Sequence, residues 1–281
     1  MKLLQITDTH LGAAKPHFNG NWDPLADWVD AMAPDLVVHT GDLSVDGADS
    51  DEDLEFATAR IRRLPVPVLC LPGNHDIGHL PGTAQPVDAA RVRRWRRLVG
   101  PDRWVEDHGA WRLIGLDSLV CGSGDAEEAD QFAWLVRCLE QRDGRRVAMF
   151  SHKPLFVDHP DEGDSGYWGL RPGPRRALRD LMAAQDVALF ASGHLHVAWQ
   201  GRLGDTALVW APSSSFTVGP MQRDLPGTRM LGAVIHDFRT DVRSEIVAVP
   251  GLVPYRLDDV VDEVYPLSSP RRTAMASDAP P

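Results

Sequence analysis

Short apolar runs recur along the chain, and each ends in a polar corner rich in Gly, Asp, Asn or His. Five of these runs have the length of buried β-strands and cover residues 3–6, 36–39, 66–71, 147–150 and 187–191. The stretches between them predict helices over residues 24–32, 50–63, 88–99, 127–142 and 174–184. Ser50 followed by Asp53 is typical of a capping box at the start of the second helix. Strands that alternate with helices predict an α/β layered fold.

The pattern changes after Val197. Residues 196–203, 206–213, 229–238 and 242–249 read as successive strands with no helix among them. We expect these strands to form a mixed or antiparallel second sheet that packs on the first. Residues 1–265 are thus predicted to form one domain, and the Ser-, Pro- and Ala-rich residues 266–281 a disordered tail.

Side chains that can ligate metals gather at the ends of the five early strands. These corners supply Asp8, His10, Asp42, Asn74, His75, His152, His194 and His196. In open α/β sheets, sites form beyond the carboxyl ends of the strands, and carboxylates and imidazoles buried there without partners would be costly. Bound metal ions remove that cost, and this mix of oxygen and nitrogen donors suits Fe, Mn, Zn or Co. The three cysteines lack the spacing of a thiolate site.

The charge and composition of the chain argue against some classes of binding partner. The formal net charge of −11 disfavours nucleic acid, since affinity for a phosphate backbone comes from excess Lys and Arg. The one basic cluster, within residues 88–99, fits the solvated face of an amphipathic helix, because Val92, Trp95 and Val99 recur at helical spacing. Neither a signal peptide nor a membrane span is recognisable. We therefore expect a cytoplasmic protein without a membrane partner, and a homo-oligomer stays open.

Five short motifs at the strand ends together resemble a known family. They are D-x-H (Asp8, His10), G-D (Gly41, Asp42), G-N-H-D (residues 73–76), a lone His after a strand (His152) and G-H-x-H (Gly193, His194, His196). Each motif alone is weak, but all five in order make residues 3–238 similar to the calcineurin-like metallophosphoesterases. The resemblance implies a four-layer α-β-β-α sandwich of two mixed sheets flanked by helices. It also implies two metal ions at the strand ends and a small phosphoester substrate.

The resemblance assigns the metal ligands residue by residue. Asp8, His10 and His196 would hold the first metal, and Asn74, His152 and His194 the second. Asp42 would bridge them with one oxygen on each metal. Two metals about 3.5 Å apart lower the pKa of a bridging water, and the resulting hydroxide attacks phosphorus in line without a covalent enzyme intermediate.

The two residues after Asn74 have separate roles in this scheme. The family pattern places His75 at the leaving group, where it donates a proton or stabilises charge. Asp76 either fixes the tautomer of His75 or caps a turn. The sequence leaves both roles of Asp76 open.

Within the family, the chain looks most like the bacterial cyclic-nucleotide and glycerophosphodiester phosphodiesterases, partly because of the PSSSF segment at residues 212–216. That branch usually carries a His-His-Pro-Pro-like run at the fourth motif, whereas this chain has SHKPLF. If Lys153 faces the cleft, it would favour a substrate with more negative charge, hence a monoester. If it faces solvent, it has no such effect.

Residues 157–173 form a long, Gly-rich stretch that is typical of a binding loop. Tyr167 and Trp168 could stack on a base and Arg171 could hold a phosphate oxygen, or the aromatic rings simply pack the loop down. His17 and Asn21 are further candidates on the substrate side. The sequence thus predicts a dimetal phosphodiesterase, with a phosphomonoesterase, a nuclease of the same family and a non-catalytic scaffold as alternatives.

Overall fold

Strands and helices alternate along the first part of the chain, as the sequence predicts. The structure is a computed structural model that describes residues 1–219 and 224–265, so the predicted disordered tail lies outside the described residues. In chain order the described strands are β1 (Lys2–Ile6), β2 (Leu36–His39), β3 (Val68–Cys70), β4 (Trp104–His108), β5 (Trp111–Leu116), β6 (Arg146–Ser151), β7 (Val187–Ser192), β8 (Trp199–Leu203), β9 (Thr206–Trp210), β10 (Phe216–Thr217), β11 (Ala233–Phe238), β12 (Val242–Val247) and β13 (Tyr255–Arg256). The described helices are α1 (Trp22–Met32), α2 (Asp51–Ile61), α3 (Asn74–Ile77), α4 (Ala89–Leu98), α5 (Ala126–Glu140), α6 (Pro172–Ala184) and α7 (Val261–Val264). None of these described helices has both the length and the apolar character needed to cross a bilayer.

Two large mixed sheets carry the fold. The first has the order β12-β11-β1-β2-β3, with β1, β2 and β3 parallel and β11 and β12 antiparallel to their neighbours. The second has the order β4-β5-β6-β7-β9-β8, with the four central strands parallel and the two edge strands antiparallel. β10 and β13 pair separately. The prediction of an α/β fold with two mixed sheets is confirmed.

The late strands do not form a sheet of their own, so that prediction was wrong. β8 and β9 extend the second sheet beside β7, whereas β11 and β12 complete the first sheet beside β1. The pattern of apolar residues indicates that a segment is a strand. Which strand it pairs with depends on which sheet edge offers free hydrogen-bonding groups. β4 and β5 were not predicted at all.

The core lies between the two sheets and under the helices on either side. Successive residues of β1 point to opposite faces, so Leu3 packs between the sheets and Leu4 packs under the helices α1, α2 and α4. Beyond the second sheet, Leu135 of α5 and Leu178 of α6 cover its outer face. This is the helix–sheet–sheet–helix arrangement that the resemblance implied.

The basic helix α4 is amphipathic, as predicted. Val92 and Trp95 are fully buried. Four of its five arginines pair with carboxylates, among them Arg91 with Asp49, Arg96 with Asp102 and Glu127, and Arg97 with Asp51. An arginine face that carboxylates already neutralise offers little to a nucleic-acid backbone.

Candidate metal centre

The residues that follow β1, β2, β3, β6 and β7 converge on one side of the two sheets. The loops are tied together through their backbones: the Asp8 N–H donates to the Gly41 carbonyl over 2.9 Å, and the Gly193 N–H to the His152 carbonyl over 3.0 Å. Five of the seven predicted ligands have a positive φ, namely Asp8 (53°), His10 (42°), Asp42 (53°), His194 (73°) and His196 (54°). For residues other than glycine, such a conformation costs roughly 1–3 kcal/mol and is concentrated at functional sites.

The first predicted ligand set, Asp8, His10 and His196, forms a buried cluster. Asp8 Oδ1 lies 3.4 Å from His196 Nε2 and 3.9 Å from His10 Nε2, and the two imidazole nitrogens are 3.2 Å apart. Among the described residues, no hydrogen-bond donor reaches the buried Asp8 Oδ1. A desolvated carboxylate oxygen beside two imidazole nitrogens is a donor set that fits a metal cation.

The second predicted set forms an adjoining cluster around His152. Its Nε2 lies 3.1 Å from His194 Nδ1, 3.1 Å from Asn74 Oδ1 and 3.4 Å from Asp42 Oδ2. All of these side chains are buried. Two oxygens and two nitrogens facing one point also fit a borderline divalent or trivalent cation.

Asp42 joins the two clusters through one oxygen. Its Oδ2 lies 3.4 Å from His152 Nε2 and 3.7 Å from His10 Nε2. Its Oδ1 accepts a 2.7 Å hydrogen bond from the His75 N–H. Oδ1 thus carries a bond from the His75 backbone, and the expectation of one Asp42 oxygen on each metal stays a prediction.

Backbone carbonyls fix the tautomers of the ligand histidines. Because a carbonyl only accepts, His152 Nδ1–H donates to Thr40 over 2.8 Å and His196 Nδ1–H to Phe216 over 2.9 Å, which leaves Nε2 for the cluster. His194 is reversed, since its Nε2–H donates to the Tyr167 carbonyl over 2.9 Å. In the neutral form of each ring, the nitrogen that faces the cluster is therefore the one without a proton.

Burial and neighbouring charges set the protonation of the centre. Burial, followed by the nearby histidines, lowers the pKa of His10 and of His194 well below the usual value, which keeps both as neutral ligands. Burial alone would raise the pKa of Asp42, but His152 and His75 hold it well below its usual range. Burial also opposes protonation of His152, yet Asp42 raises its pKa to about 9. Metal binding at this cluster therefore displaces a proton.

Asp76 is bonded to the loops around it. Its carboxylate accepts hydrogen bonds from the backbone N–H groups of Gly73 (2.9 Å), Leu43 (3.1 Å) and Ser44 (3.0 Å), and from the Ser44 hydroxyl (2.6 Å). These are the bonds of a turn cap. They tie the start of α3 to the loop that follows Asp42.

His75 has other partners. Its Nδ1 lies 3.0 Å from the Val45 carbonyl oxygen and 2.9 Å from the Tyr265 hydroxyl, and its Nε2 lies 4.0 Å from Asp42 Oδ2. The ring thus stands beside the metal-ligand clusters with Nε2 toward them.

Of the predicted substrate residues on the long loop, Tyr167 reaches the centre. Its hydroxyl accepts a 3.2 Å hydrogen bond from Asn74 Nδ2, and its ring lies 4.7 Å from that of His194. Trp168 instead packs on the apolar cluster around Leu195, which is the packing alternative. The Arg171 guanidinium donates to Asp164 over 3.1 Å, so its position gives the phosphate-gripping role no support.

The other three candidates have structural surroundings. Asn21 is buried, and its side chain bonds the backbone of Ser215 and Val253, so it ties two loops together. His17 lies 3.8 Å from the exposed Glu263. Lys153 is buried, which overturns the solvent-facing alternative.

Sequence reasoning missed several residues of the centre. The hydroxyls of Ser213 and Ser215 donate to the Asp8 carbonyl over 3.0 and 2.6 Å, and they belong to the PSSSF segment, whose polarity was the available signal. His79 stacks on Tyr167 with ring centroids 4.9 Å apart. Tyr265 is 190 residues from His75 in sequence, and no local motif marks it.

Comparisons with known proteins agree with this geometry. A family model for the calcineurin-like phosphoesterases matches residues 1–198. The chain is 31% identical over 171 residues to the probable glycerophosphodiester phosphodiesterase GpdQ of Arcobacter nitrofigilis, covering 58% of this chain and 57% of that protein. It is 30% identical over 196 residues to a probable cyclic nucleotide phosphodiesterase of Synechococcus sp., covering 69% and 68%. The match thus spans little more than half the length of the first relative.

A solved structure shows the same fold. The purple acid phosphatase PPD1 of yellow lupin superimposes with a TM-score of 0.63 at 17% identity, over 91% of this chain and 52% of that one. At that identity the likeness concerns the fold alone. Because the family model covers well over half of the sequence, the chain belongs to the calcineurin-like phosphoesterase family.

Proposed function

We propose that the protein is a two-metal phosphodiesterase that hydrolyses a small phosphodiester. The observation that carries this proposal is the pair of buried ligand clusters joined through Asp42 Oδ2. The names of the two relatives above make a cyclic nucleotide and a glycerophosphodiester the first substrates to test.

The donor atoms fit two ions of Fe, Mn, Zn or Co. When bound, two such ions lower the pKa of a water nucleophile and neutralise charge on the phosphoryl oxygens. Asp8, His10 and His196 would hold one ion, and Asn74, His152 and His194 the other, with Asp42 shared. Asn74 is a neutral ligand, which limits the negative charge that faces an anionic substrate.

The remaining polar residues would orient the reaction. His75 presents Nε2 toward the clusters. Its imidazolium form, which carries a hydrogen on both ring nitrogens, would give the Nε2 proton to the departing oxygen or stabilise its charge, and the ring would then be left neutral with its hydrogen on Nδ1. Asp76 would act as a positioning residue, since its four hydrogen bonds hold the loops that carry Asp42 and Asn74.

The test combines metal analysis with hydrolysis of bis(p-nitrophenyl) phosphate. We expect two metals per chain and turnover in the wild type, and loss of turnover by about 10²-fold or more in Asp42→Ala and in Asn74→Ala. His159→Ala, which removes an exposed histidine a few residues after His152, is the matched control and should keep both metals and full activity. Full activity in either ligand variant would overturn the site assignment. Fewer than one metal per chain together with no turnover would favour the scaffold alternative.

One observation favours a phosphomonoesterase as the second candidate. The buried Lys153 ammonium donates to the Gly166 carbonyl over 3.2 Å and lies 3.3 Å from His79 Nε2. Gly166 directly precedes Tyr167, whose carbonyl oxygen lies 2.9 Å from His194 Nε2. A buried cation near the second cluster favours a dianionic ester over a monoanionic one. If monoesters are the substrates, Lys153→Met should lower the ratio of p-nitrophenyl phosphate to bis(p-nitrophenyl) phosphate turnover. An unchanged ratio would remove this candidate.

A further inference from the structure

Tyr265 brings the C-terminal end of the described chain against the leaving-group residue. Its hydroxyl lies 2.9 Å from His75 Nδ1, and the two rings are tilted by 43° with centroids 5.2 Å apart. Both side chains are buried, with exposed fractions of 2% for Tyr265 and 5% for His75. The contact therefore lies inside the fold, where it restricts the imidazole ring.

The Nδ1 atom of His75 has a second neighbour that defines its tautomer. The Val45 carbonyl oxygen lies 3.0 Å away, and because a carbonyl only accepts, Nδ1 must carry the hydrogen. Nε2 is then the nitrogen that faces the metal centre, 4.0 Å from Asp42 Oδ2. The His10 ring stands nearly perpendicular to the His75 ring, with centroids 4.7 Å apart. The ring is thus held from both sides.

Tyr265 is itself anchored to the loop that supplies Val45. It packs in a buried apolar cluster with Phe18, Val45, Phe216, Leu257 and Val264. The Lys15 ammonium donates to the Val264 carbonyl over 2.9 Å and to Asp46 Oδ2 over 2.8 Å. The segment before Tyr265 and the loop after Asp42 are therefore fastened to the same side chain.

We propose that Tyr265 is a positioning residue for departure of the leaving group. Its hydroxyl, together with the Val45 carbonyl, fixes the His75 ring so that Nε2 faces the departing oxygen. The imidazolium ring gives its Nε2 proton to that oxygen and keeps the hydrogen on Nδ1. This inference rests on the proposed function, because it deepens the role of His75. A positioned proton donor contributes about 10²–10⁴-fold to a reaction, and it matters most for an alkoxide, which leaves poorly without a proton. A nitrophenolate leaves unaided.

The kinetic test compares Tyr265→Phe with a matched control. Tyr255→Phe removes a hydroxyl from a ring that packs against the same cluster and lies beside Phe18, with ring centroids 6.1 Å apart. Cyclic AMP and glycerophosphoethanolamine are both alkyl diesters, and the test uses the one that the wild type hydrolyses faster. With metal-loaded enzyme, Tyr265→Phe should lower the hydrolysis rate of that alkyl diester by about 10-fold, and that of bis(p-nitrophenyl) phosphate by less than about twofold. Tyr255→Phe should leave both rates unchanged. An equal loss on both esters would mean that Tyr265 acts through the fold alone and would overturn the proposal.

A double variant tests whether Tyr265 affects the rate through His75. If Tyr265 acts through His75, adding Tyr265→Phe to His75→Ala should cause no further loss on the alkyl ester, because the two changes remove one function. A further loss of the same size as in the wild-type background would refute the coupling.

A measurement that does not require catalysis tests the positioning role of Tyr265 independently of the proposed function. Nitrogen–proton correlation NMR of the metal-free protein reports the histidine tautomers, and the His75 signals are those that disappear in His75→Ala. For the neutral ring we expect the Nδ1–H tautomer in the wild type, a changed pair of ring-nitrogen shifts in Tyr265→Phe, and no change in Tyr255→Phe. Identical shifts in Tyr265→Phe and wild type would overturn the positioning role. If the metal-loaded wild type cleaves no ester, the proposed function fails, and these shifts still decide the positioning.

Discussion

Gly73 lies against the carboxylate that joins the two ligand clusters, and its replacement by alanine tests that junction. Its backbone is extended, with φ of −109° and ψ of 179°, so alanine could adopt the same conformation without strain. A Cβ added there would lie 2.1 Å from Asp42 Oδ1 and 2.2 Å from the Asp42 backbone nitrogen. Ordinary contacts begin near 3.4 Å, so Asp42 would have to move by roughly 1 Å to relieve the overlap.

The movement has two consequences of different size. Overpacking of this kind destabilises the fold by about 1–3 kcal/mol, and each kcal/mol lowers the melting temperature by roughly 2–4 °C in a chain of this size. The shift also breaks the 2.7 Å bond from the His75 N–H to Asp42 Oδ1 and moves Oδ2 away from His152, 3.4 Å distant. Because misplacement by 1 Å can cost about 10²-fold in rate, activity should fall far more than stability.

The assay measures melting temperature, metals per chain and bis(p-nitrophenyl) phosphate hydrolysis on the same preparation. Gly173→Ala is the control, since no atom lies within 4 Å of a Cβ built there. We expect Gly73→Ala to lose metal and turnover while it remains folded, and Gly173→Ala to keep both. Wild-type metal content and turnover in Gly73→Ala would refute the argument that Asp42 is the shared ligand.

Three further predictions concern stability. Chelation should lower the melting temperature, and readdition of metal to 100 times its Kd should restore about 2.7 kcal/mol of unfolding free energy for each site; a melting temperature that does not respond to metal in a calorimetric scan would contradict the fit of the clusters to cations. Burial, followed by Asp102, raises the pKa of Asp117 to about 8, so the folded state binds the proton more tightly, and stability should fall by up to about 1.4 kcal/mol per pH unit between the usual pKa near 4 and about 8. Asp117→Asn should flatten that decline in urea unfolding, and an unchanged slope would show that other groups cause it. Ser50 Oγ accepts from the Asp53 N–H over 3.2 Å at the start of α2, so Ser50→Ala should cost about 1 kcal/mol, whereas an unchanged urea midpoint would mean that water replaces the cap.

The sequence predicts the strands and helices of this protein well where a local pattern of apolar and polar residues marks them. The strand at residues 3–6 and the helix α2 with its Ser50 cap lie where the pattern places them. The pairing of the late strands was mispredicted, because β11 and β9 are both apolar strands and only the exposed edges of β1 and β7 distinguish their partners. For a similar reason, the sequence does not show the surroundings of two substrate-side candidates. Asn21 and Arg171 are polar residues in loops, and the sequence does not show that backbone groups or a carboxylate already bind them.

The sequence by itself determined the chemistry of the centre. Carboxylates, an amide and imidazoles at five strand ends are too costly to bury without cations, so their positions indicated a metal site before any coordinates. Only the tertiary structure decided how these residues are oriented: that Asp42 Oδ2 lies beside both clusters, that Asp76 accepts bonds from the surrounding loops, and that Tyr265 and Val45 contact His75. The physical reason is that these contacts are hydrogen bonds between segments far apart in the chain. Their partners are fixed by how the two sheets pack, and no local sequence pattern encodes that.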